Sequence, residues 1–343
     1  MAAGTGNGDT PNFEQPADER GGGGISSETV TTLAIFGLCV LLLLASRFIS
    51  PAFGSLSHLQ TILILSSFLI VAGFGQGMVI MTGGLDLSIA SVITLGGVAC
   101  TTLGHMGSLA AIPLALVICA GVGLVSGFGV AKLRVPPFIM TMAMGVIVYS
   151  ACLGYTKGSP RGSAPEAAIT LMKSDLLGLP LAVYFVVAFA LFGWFLQKRT
   201  SFGRRVQAVG SNARAAQLAG VRSARVTMLV YATSSASAGL VGVMLAGYAD
   251  GATLRMGDSY LLTSIAAVVI GGSSILGGAG TFLGTVGGAI LLTTLGTIIQ
   301  SLGVDEGWRT IIEGMIIVFA LLLLRDQLYT KIRMMTSALP GRR

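Results

Sequence analysis

The chain has 343 residues, of which 53% are hydrophobic and only 10% charged, and its mean hydropathy is +0.84. A soluble domain carries about 25% charge, so this composition excludes a soluble enzyme, a nucleic-acid reader and an extracellular disulfide scaffold. The net charge of +7 sits mostly between apolar runs, where it reads as topology and not as a nucleic-acid surface. The apolar runs are unbroken, which excludes the alternating strands of a transmembrane β-barrel. What remains is an all-α, polytopic transmembrane bundle. Its 49 glycines favour close helix packing and broken or re-entrant segments.

In chain order, residues 1–28 are polar and Gly-rich and read as a disordered tail. No basic stretch followed by a short apolar run and a cleavage site opens the chain, so the first apolar run is expected to remain as an anchor. A hydrocarbon core about 30 Å thick needs about 20 helical residues. On that ruler about ten spans are expected, at 30–49, 59–81, 88–104, 109–130, 137–154, 176–197, 224–248, 259–276, 280–301 and 308–324. The third, fifth and eighth are short and interrupted by glycine. The transmembrane domain is therefore placed at 29–325, followed by a basic tail at 326–343.

Lys and Arg in short loops set orientation. The stretch 198–225 carries Lys198, Arg199, Arg204, Arg205, Arg214, Arg222 and Arg225 with no acid, and is expected in the cytoplasm. Lys132 and Arg134 mark a second inner loop. The tail, with Arg325, Lys331, Arg333, Arg342 and Arg343 against Asp326, marks a third. An even number of spans separates these loops, so both termini are expected to be cytoplasmic. The external stretch 155–175 fits least well, with Lys157, Arg161 and Lys173 against Glu166 and Asp175.

Cys39, Cys100, Cys119 and Cys152 lie in or at the ends of apolar runs without CxxC spacing, and read as buried thiols. His58 and His105 fall at expected loops with no ligand partners nearby, so no metal site is expected.

Four segments stand out. The first is Thr82, Gly83, Gly84, Leu85, Asp86, Leu87 and Ser88. An acid beside two apolar spans is costly and marks function by default. It is either a turn at the cytoplasmic interface capped by Asp86 or Ser88, or a broken helix lining a pathway. The second runs from Gly210 to Val221. It reads as a short helix capped by Ser211 or Asn212, rich in alanine (Ala215, Ala216) and stopped by Gly220. It is either a docking knob for a soluble partner or a plain surface helix.

The third holds Gly271, Gly272, Gly277, Gly278, Gly284 and Gly288, the last two forming a GxxxG. Close helix contact and a re-entrant turn are both open. It is not a phosphate loop, since GxxxxGK followed by Ser or Thr is absent from the chain; no ATP site and no cofactor are expected in this chain. The fourth opens the last span, where Arg309 and Glu313 can pair at i,i+4 beside the interfacial Trp308.

No HExxH, GxSxG or histidine cluster provides for an intramembrane enzyme. Intramembrane acids are too few for a persuasive proton relay. A faint internal echo relates MTGGLDLSIASVITLGGVACTTLG to IGGSSILGGAGTFLGTVGGAILLTTLG.

In that order and spacing, MTGGLDLSIASVITLGG, GSNARAAQLAGV, GGSSILGGAGTFLGTVGGAILL and WRTIIEGMIIVFALLL resemble the permease subunits of ribose-, xylose- and arabinose-type ABC importers. The resemblance covers roughly residues 30–325. It implies a bacterial inner-membrane subunit that works as a pair, with a second copy or a paralogue. The implied partners are a cytoplasmic ATP-binding subunit and a periplasmic sugar-binding protein. It further implies that Gly210, Asn212, Ala215, Ala216 and Gly220 couple to the ATPase, and that Thr82, Gly83, Gly84, Asp86 and Ser88 lie near the pathway or its gate. Ser66, Ser67, Gln76, Thr94, Ser234, Ser235 and Ser237 are candidates for polar groups along that pathway or for packing contacts. The rival readings are a branched-chain amino-acid or nucleoside ABC permease and an ion-coupled secondary transporter.

Overall fold

The computed structural model describes residues 27–48, 53–305, 307–308, 310–312, 314–315 and 318. In order, the elements are α1 (Ser27–Ser46), α2 (Leu56–Met81), α3 (Ile89–Thr102), a 3-10 turn (Leu103–Met106), α4 (Ser108–Ala131), α5 (Pro137–Thr156) and α6 (Glu166–Lys173). A two-stranded hairpin follows, β1 (Asp175–Leu176) and β2 (Leu179–Pro180). Then come α7 (Leu181–Arg199), α8 (Ser201–Ser211), α9 (Ala213–Leu218), α10 (Ser223–Ala249), α11 (Asp258–Ile270) and α12 (Phe282–Ser301). Seven helices among the described residues are long and apolar enough to cross a membrane, counting α3 together with its 3-10 turn. The all-α, polytopic class holds. The described residues do not reach the expected span count, and the span expected at 308–324 falls largely outside them.

Local chemistry explains where the helices differ from expectation. The span expected from residue 176 starts instead at Leu181, because Asp175–Leu176 pairs antiparallel with Leu179–Pro180. Pro180 then precedes the first helical residue. The span expected at 259–276 stops at Ile270. Gly272, Gly277 and Gly278 take φ of 86°, 87° and 80°, a region open to glycine at little cost. His58 lies in the first turn of α2, and His105 in the 3-10 turn, rather than in open loops. All four cysteines are buried and free.

The bundle contains an inverted repeat. One unit is a long helix (α2, 26 residues), a loop, a short helix (α3, 14 residues) and a membrane-length helix (α4, 24 residues). The other is α10 (27 residues), a loop, α11 (13 residues) and α12 (20 residues). The long helices run antiparallel, with Gly75 against Ser234 and Phe68 against Tyr248. Each short helix runs parallel to the long helix of the other unit. Asp86 and Gly96 meet Ser234 and Gly239, while Phe68 and Gly77 meet Tyr260 and Val268. The short helices meet start to start, with Gly257 against the Ala90 carbonyl. Inverted repeats with half-length helices recur in transport proteins. This is not the echo read from the sequence, which pairs the start of α3 with the start of α12.

Packing is close because lipid offers no hydrophobic drive between helices, and small residues let backbones approach. A Cβ on Gly96 would strike the Gly239 backbone, and one on Gly242 would strike the Ile93 carbonyl. Where α2, α7 and α12 meet, Phe74 stacks edge-on against Phe189 and Phe282, at centroid distances of 5.4 and 5.0 Å. Large apolar side chains such as Val117, Val146 and Leu191 face outward, as suits a multi-pass membrane protein.

Candidate functional site

The segment after α2 is built into the bundle. The chain leaves α2 through amides of Gly83 and Gly84 that bond the Ile80 and Val79 carbonyls, with Gly83 at φ 80°; this is a left-handed helix stop. Gly84 has no side chain to spare, since a Cβ there would lie 2.6 Å from the Tyr231 hydroxyl. Asp86 is only 1% exposed. Its Oδ1 accepts the Ser88 amide at 3.0 Å and the Ser88 hydroxyl at 2.5 Å, and its Oδ2 accepts the Ser234 hydroxyl of α10 at 2.8 Å. On the other side Thr141 of α5 takes the Leu87 amide at 3.0 Å and reaches the Leu85 carbonyl at 3.2 Å.

A carboxyl at the start of α3 also meets the positive end of that helix. The turn is capped by the Asp86 carboxylate, and it is held between α5 and α10. The loop is a break inside the bundle, pinned from both sides. Ser88 occupies the cap position but makes no side-chain cap bond, and Asp86 supplies the acceptor instead.

The segment Gly210 to Val221 does form a short helix, α9, capped by Asn212. Its Oδ1 accepts the Arg214 and Ala215 amides at 3.1 and 3.0 Å. Ala216 turns inward and Gly220 ends the helix at φ 84°. Arg214, Ala215 and Gln217 face out, with Leu218 85% exposed. The preceding helix α8 was not legible as a separate element. Its last turn brings Gly210 against the end of α2 and the Gly-rich turn. A Cβ on Gly210 would run into the Met81 carbonyl and come within 2.7 Å of the Gly278 amide. That amide bonds Met81 at 2.9 Å, and a Cβ on Gly277 would lie 2.9 Å from the Gly83 amide. Three predicted segments thus converge, backbone on backbone.

Gly271 and Gly284 pack against each other, and Gly288 packs on Ala267. Close contact and turn therefore coexist in the third segment. Arg309 and Glu313 lie outside the described residues. The serines and threonines proposed along the spans are interior. Ser66, Ser67 and Thr94 bond carbonyls of their own helices, Ser234 bonds Asp86, and Gln76, Ser235 and Ser237 are buried.

A groove of about 190 Å³ lies elsewhere, between α2, α11 and α12. Leu65, Leu69 and Leu292 form its apolar part, and Ser259, Thr263, Thr293, Thr297 and Gln300 its polar part. Sequence reasoning missed these five. A signal was present, since Ser259–Thr263 and Thr293–Thr297 are spaced i,i+4 and share helix faces. Gln197, at the end of α7, was missed as well. It is 8% exposed; its Nε2 donates to Met81 Sδ and to the Gly280 carbonyl, and its Oε1 accepts the Phe282 amide at 2.6 Å.

Residues 58–321 match the family described as branched-chain amino acid transport system / permease component. The ribose import permease protein RbsC of Escherichia coli K12 is 32% identical over 296 residues, covering 84% of this chain and 92% of that protein. RbsC of Bacillus subtilis 168 is 33% identical over 296 residues, covering 85% and 91%. The galactose/methyl galactoside import permease protein MglC of Salmonella typhimurium LT2 is 34% identical over 310 residues, covering 84% and 92%. No solved structure matches the chain.

Proposed function

This chain belongs to the permease-component family just described, among relatives named for ribose and galactose import, and we propose that it is the membrane subunit of an ATP-driven monosaccharide importer. In this reading a cytoplasmic ATP-binding subunit supplies hydrolysis and a periplasmic protein delivers the sugar. A second permease, identical or paralogous, completes the pathway in the bacterial inner membrane, with both termini in the cytoplasm. The observation that carries it is the groove between α2, α11 and α12. Its polar side is made of hydroxyls and one amide, with no charged side chain among the described residues that line it. A neutral polyol can exchange water for such groups at little net cost, and each bond is worth only about 1 kcal/mol. That suits transit rather than retention.

Helix α9 is the proposed contact with the ATP-binding subunit. It offers exposed Leu218 in a basic setting of Arg214, Arg222 and Arg225, which fits an apolar notch with an acidic rim. Asp86 is proposed to hold the loop before α3 in place near the gate. A branched-chain amino-acid substrate is the second reading, which the family's description favours. A zwitterion is better matched by paired charges in its path, and the described residues lining the groove offer none.

The test is co-purification from native membranes with an ATPase assay. An ATP-binding subunit should copurify, and should be lost when 212–220 is replaced by a Gly/Ser linker in a protein that still inserts. Sugar uptake by the chain purified alone, driven by a proton or sodium gradient, would sink the reading.

A further inference from the structure

We infer that Gln197 is a positioning residue for energy coupling. Its amide clamps the corner before α8 to the Gly-rich turn and to the end of α2, so that displacement of the docking segment reaches both at once. The inference rests on the importer reading and names the transmission point within it.

The geometry is specific. Gln197 Oε1 accepts the Phe282 amide at 2.6 Å, and Nε2 donates to the Gly280 carbonyl at 3.3 Å. One side chain thus satisfies a donor and an acceptor on either side of Thr281. Phe282 opens α12, where the first amides have no partner within their own helix. Thr281 covers another of these by accepting the Gly284 amide at 3.1 Å. The start of α12 is therefore capped from α7. The same Nε2 also reaches Met81 Sδ, at the last residue of α2.

Helix α8 is held at both ends of this junction. Gly203, in its first turn, packs on the backbone of Gln197, and Gly210, in its last turn, packs on the Met81 carbonyl beside Gly278. Backbones in direct contact have no side-chain slack to absorb a shift, and interiors this dense transmit strain. A push on α9 therefore moves α8, Met81 and the turn 277–281 as one piece. The turn leads into α12 and the end of α2 leads to Asp86, so both halves of the inverted repeat receive it.

The experiment uses the assembled transporter in proteoliposomes, with D-ribose and D-galactose as probes and sugar moved per ATP hydrolysed as readout. Gln197→Leu removes the donor and the acceptor together. It should leave copurification of the ATP-binding subunit and basal hydrolysis within about twofold of the parent, and lower sugar moved per ATP by about tenfold. Gln197→Glu keeps the acceptor for Phe282 and should fall between the two. A purely structural residue would lower transport and hydrolysis in parallel. An unchanged ratio in an assembled Gln197→Leu transporter overturns the inference.

Hydrogen exchange on the unaltered complex tests it without any substitution. Amides 203–211 and 277–283 should change protection together on ATP binding, and independent responses overturn it. A parent transporter that hydrolyses no ATP would indict the importer reading instead.

Discussion

Ser234, in the middle of α10, donates its hydroxyl to Asp86 Oδ2 at 2.8 Å across 148 residues of sequence. The bond ties the loop before α3 to the long helix of the opposite repeat. Asp86 accepts two further bonds from Ser88, so its two oxygens serve separate elements. Removing the carboxyl would leave three buried donors without it, whereas removing the serine hydroxyl costs the carboxyl one. Ser234→Ala should therefore lower stability by about 1–3 kcal/mol, and Asp86→Ala by more. Asp86→Asn, which keeps the shape and one acceptor oxygen, should fall nearest the parent. Thermal unfolding in one detergent checks the order. If Ser234→Ala costs as much in an Asp86→Ala background as alone, the bond contributes nothing.

The glycines are not interchangeable, and a paired substitution shows it. A Cβ on Gly242 would strike the Ile93 carbonyl and sit 2.6 Å from the Gly97 amide, while one on Gly121 meets nothing within 4 Å. Backbone cannot rotate away as a side chain can. Gly242→Ala should cost about 1–3 kcal/mol through overpacking, or fail to yield a monodisperse protein. Gly121→Ala should stay within about 0.5 kcal/mol of the parent. Equal melting temperatures for the two variants would show that α3 and α10 are not in backbone contact.

Leu218 offers a test of docking that leaves the fold alone. The side chain is 85% exposed, so Leu218→Asp removes little packing within the chain. A truncated anchor at a docking site costs about 2 kcal/mol or more, which is about thirtyfold in affinity. The ATP-binding subunit should be lost on purification while the melting temperature of the permease is unchanged. Retention of the subunit at parental yield would remove α9 as the docking helix.

Much of the fold is legible in the sequence because the membrane reduces the problem to length and hydropathy. The runs 59–81, 109–130, 137–154 and 224–248 each coincide with a helix to within a few residues. Buried structure that depends on partners distant in sequence is another matter. Asp86 announces itself by its charge, but nothing near it announces Ser234, one hydroxyl among several on an apolar helix. Gln197 is hidden for the opposite reason. It sits beside Lys198 and Arg199 and reads as one more polar residue at a helix end, although its amide faces inward. The echo between Gly-rich segments pairs the wrong elements. Composition carried the likeness, whereas the repeat is carried by helix lengths and by antiparallel packing, which a single sequence does not display. The groove hydroxyls carry no distinguishing mark in the sequence, since Ser and Thr in apolar helices often bond their own backbone, as Thr263 does to Ser259 and Thr297 does to Thr294.

Thr297 and Thr263 each spend their proton on a carbonyl of their own helix, which leaves the oxygen lone pairs to accept from a passing hydroxyl group. Gln300, exposed at the end of α12, has both donor and acceptor capacity. A sugar in transit would therefore donate to the threonines and exchange bonds in both directions with Gln300. Thr297→Val keeps the shape and removes the acceptor, and one such bond is worth about 0.5–1.5 kcal/mol. Sugar uptake by the reconstituted transporter should fall only about two- to tenfold. Thr293→Trp places an indole in a space of about 190 Å³ and should reduce uptake far more, with basal ATP hydrolysis and copurification of the ATP-binding subunit preserved. The contrast between the two is the informative quantity. A groove that carries the sugar responds weakly to a lost hydroxyl and strongly to lost space. Full uptake by an assembled Thr293→Trp transporter would show that the sugar passes elsewhere.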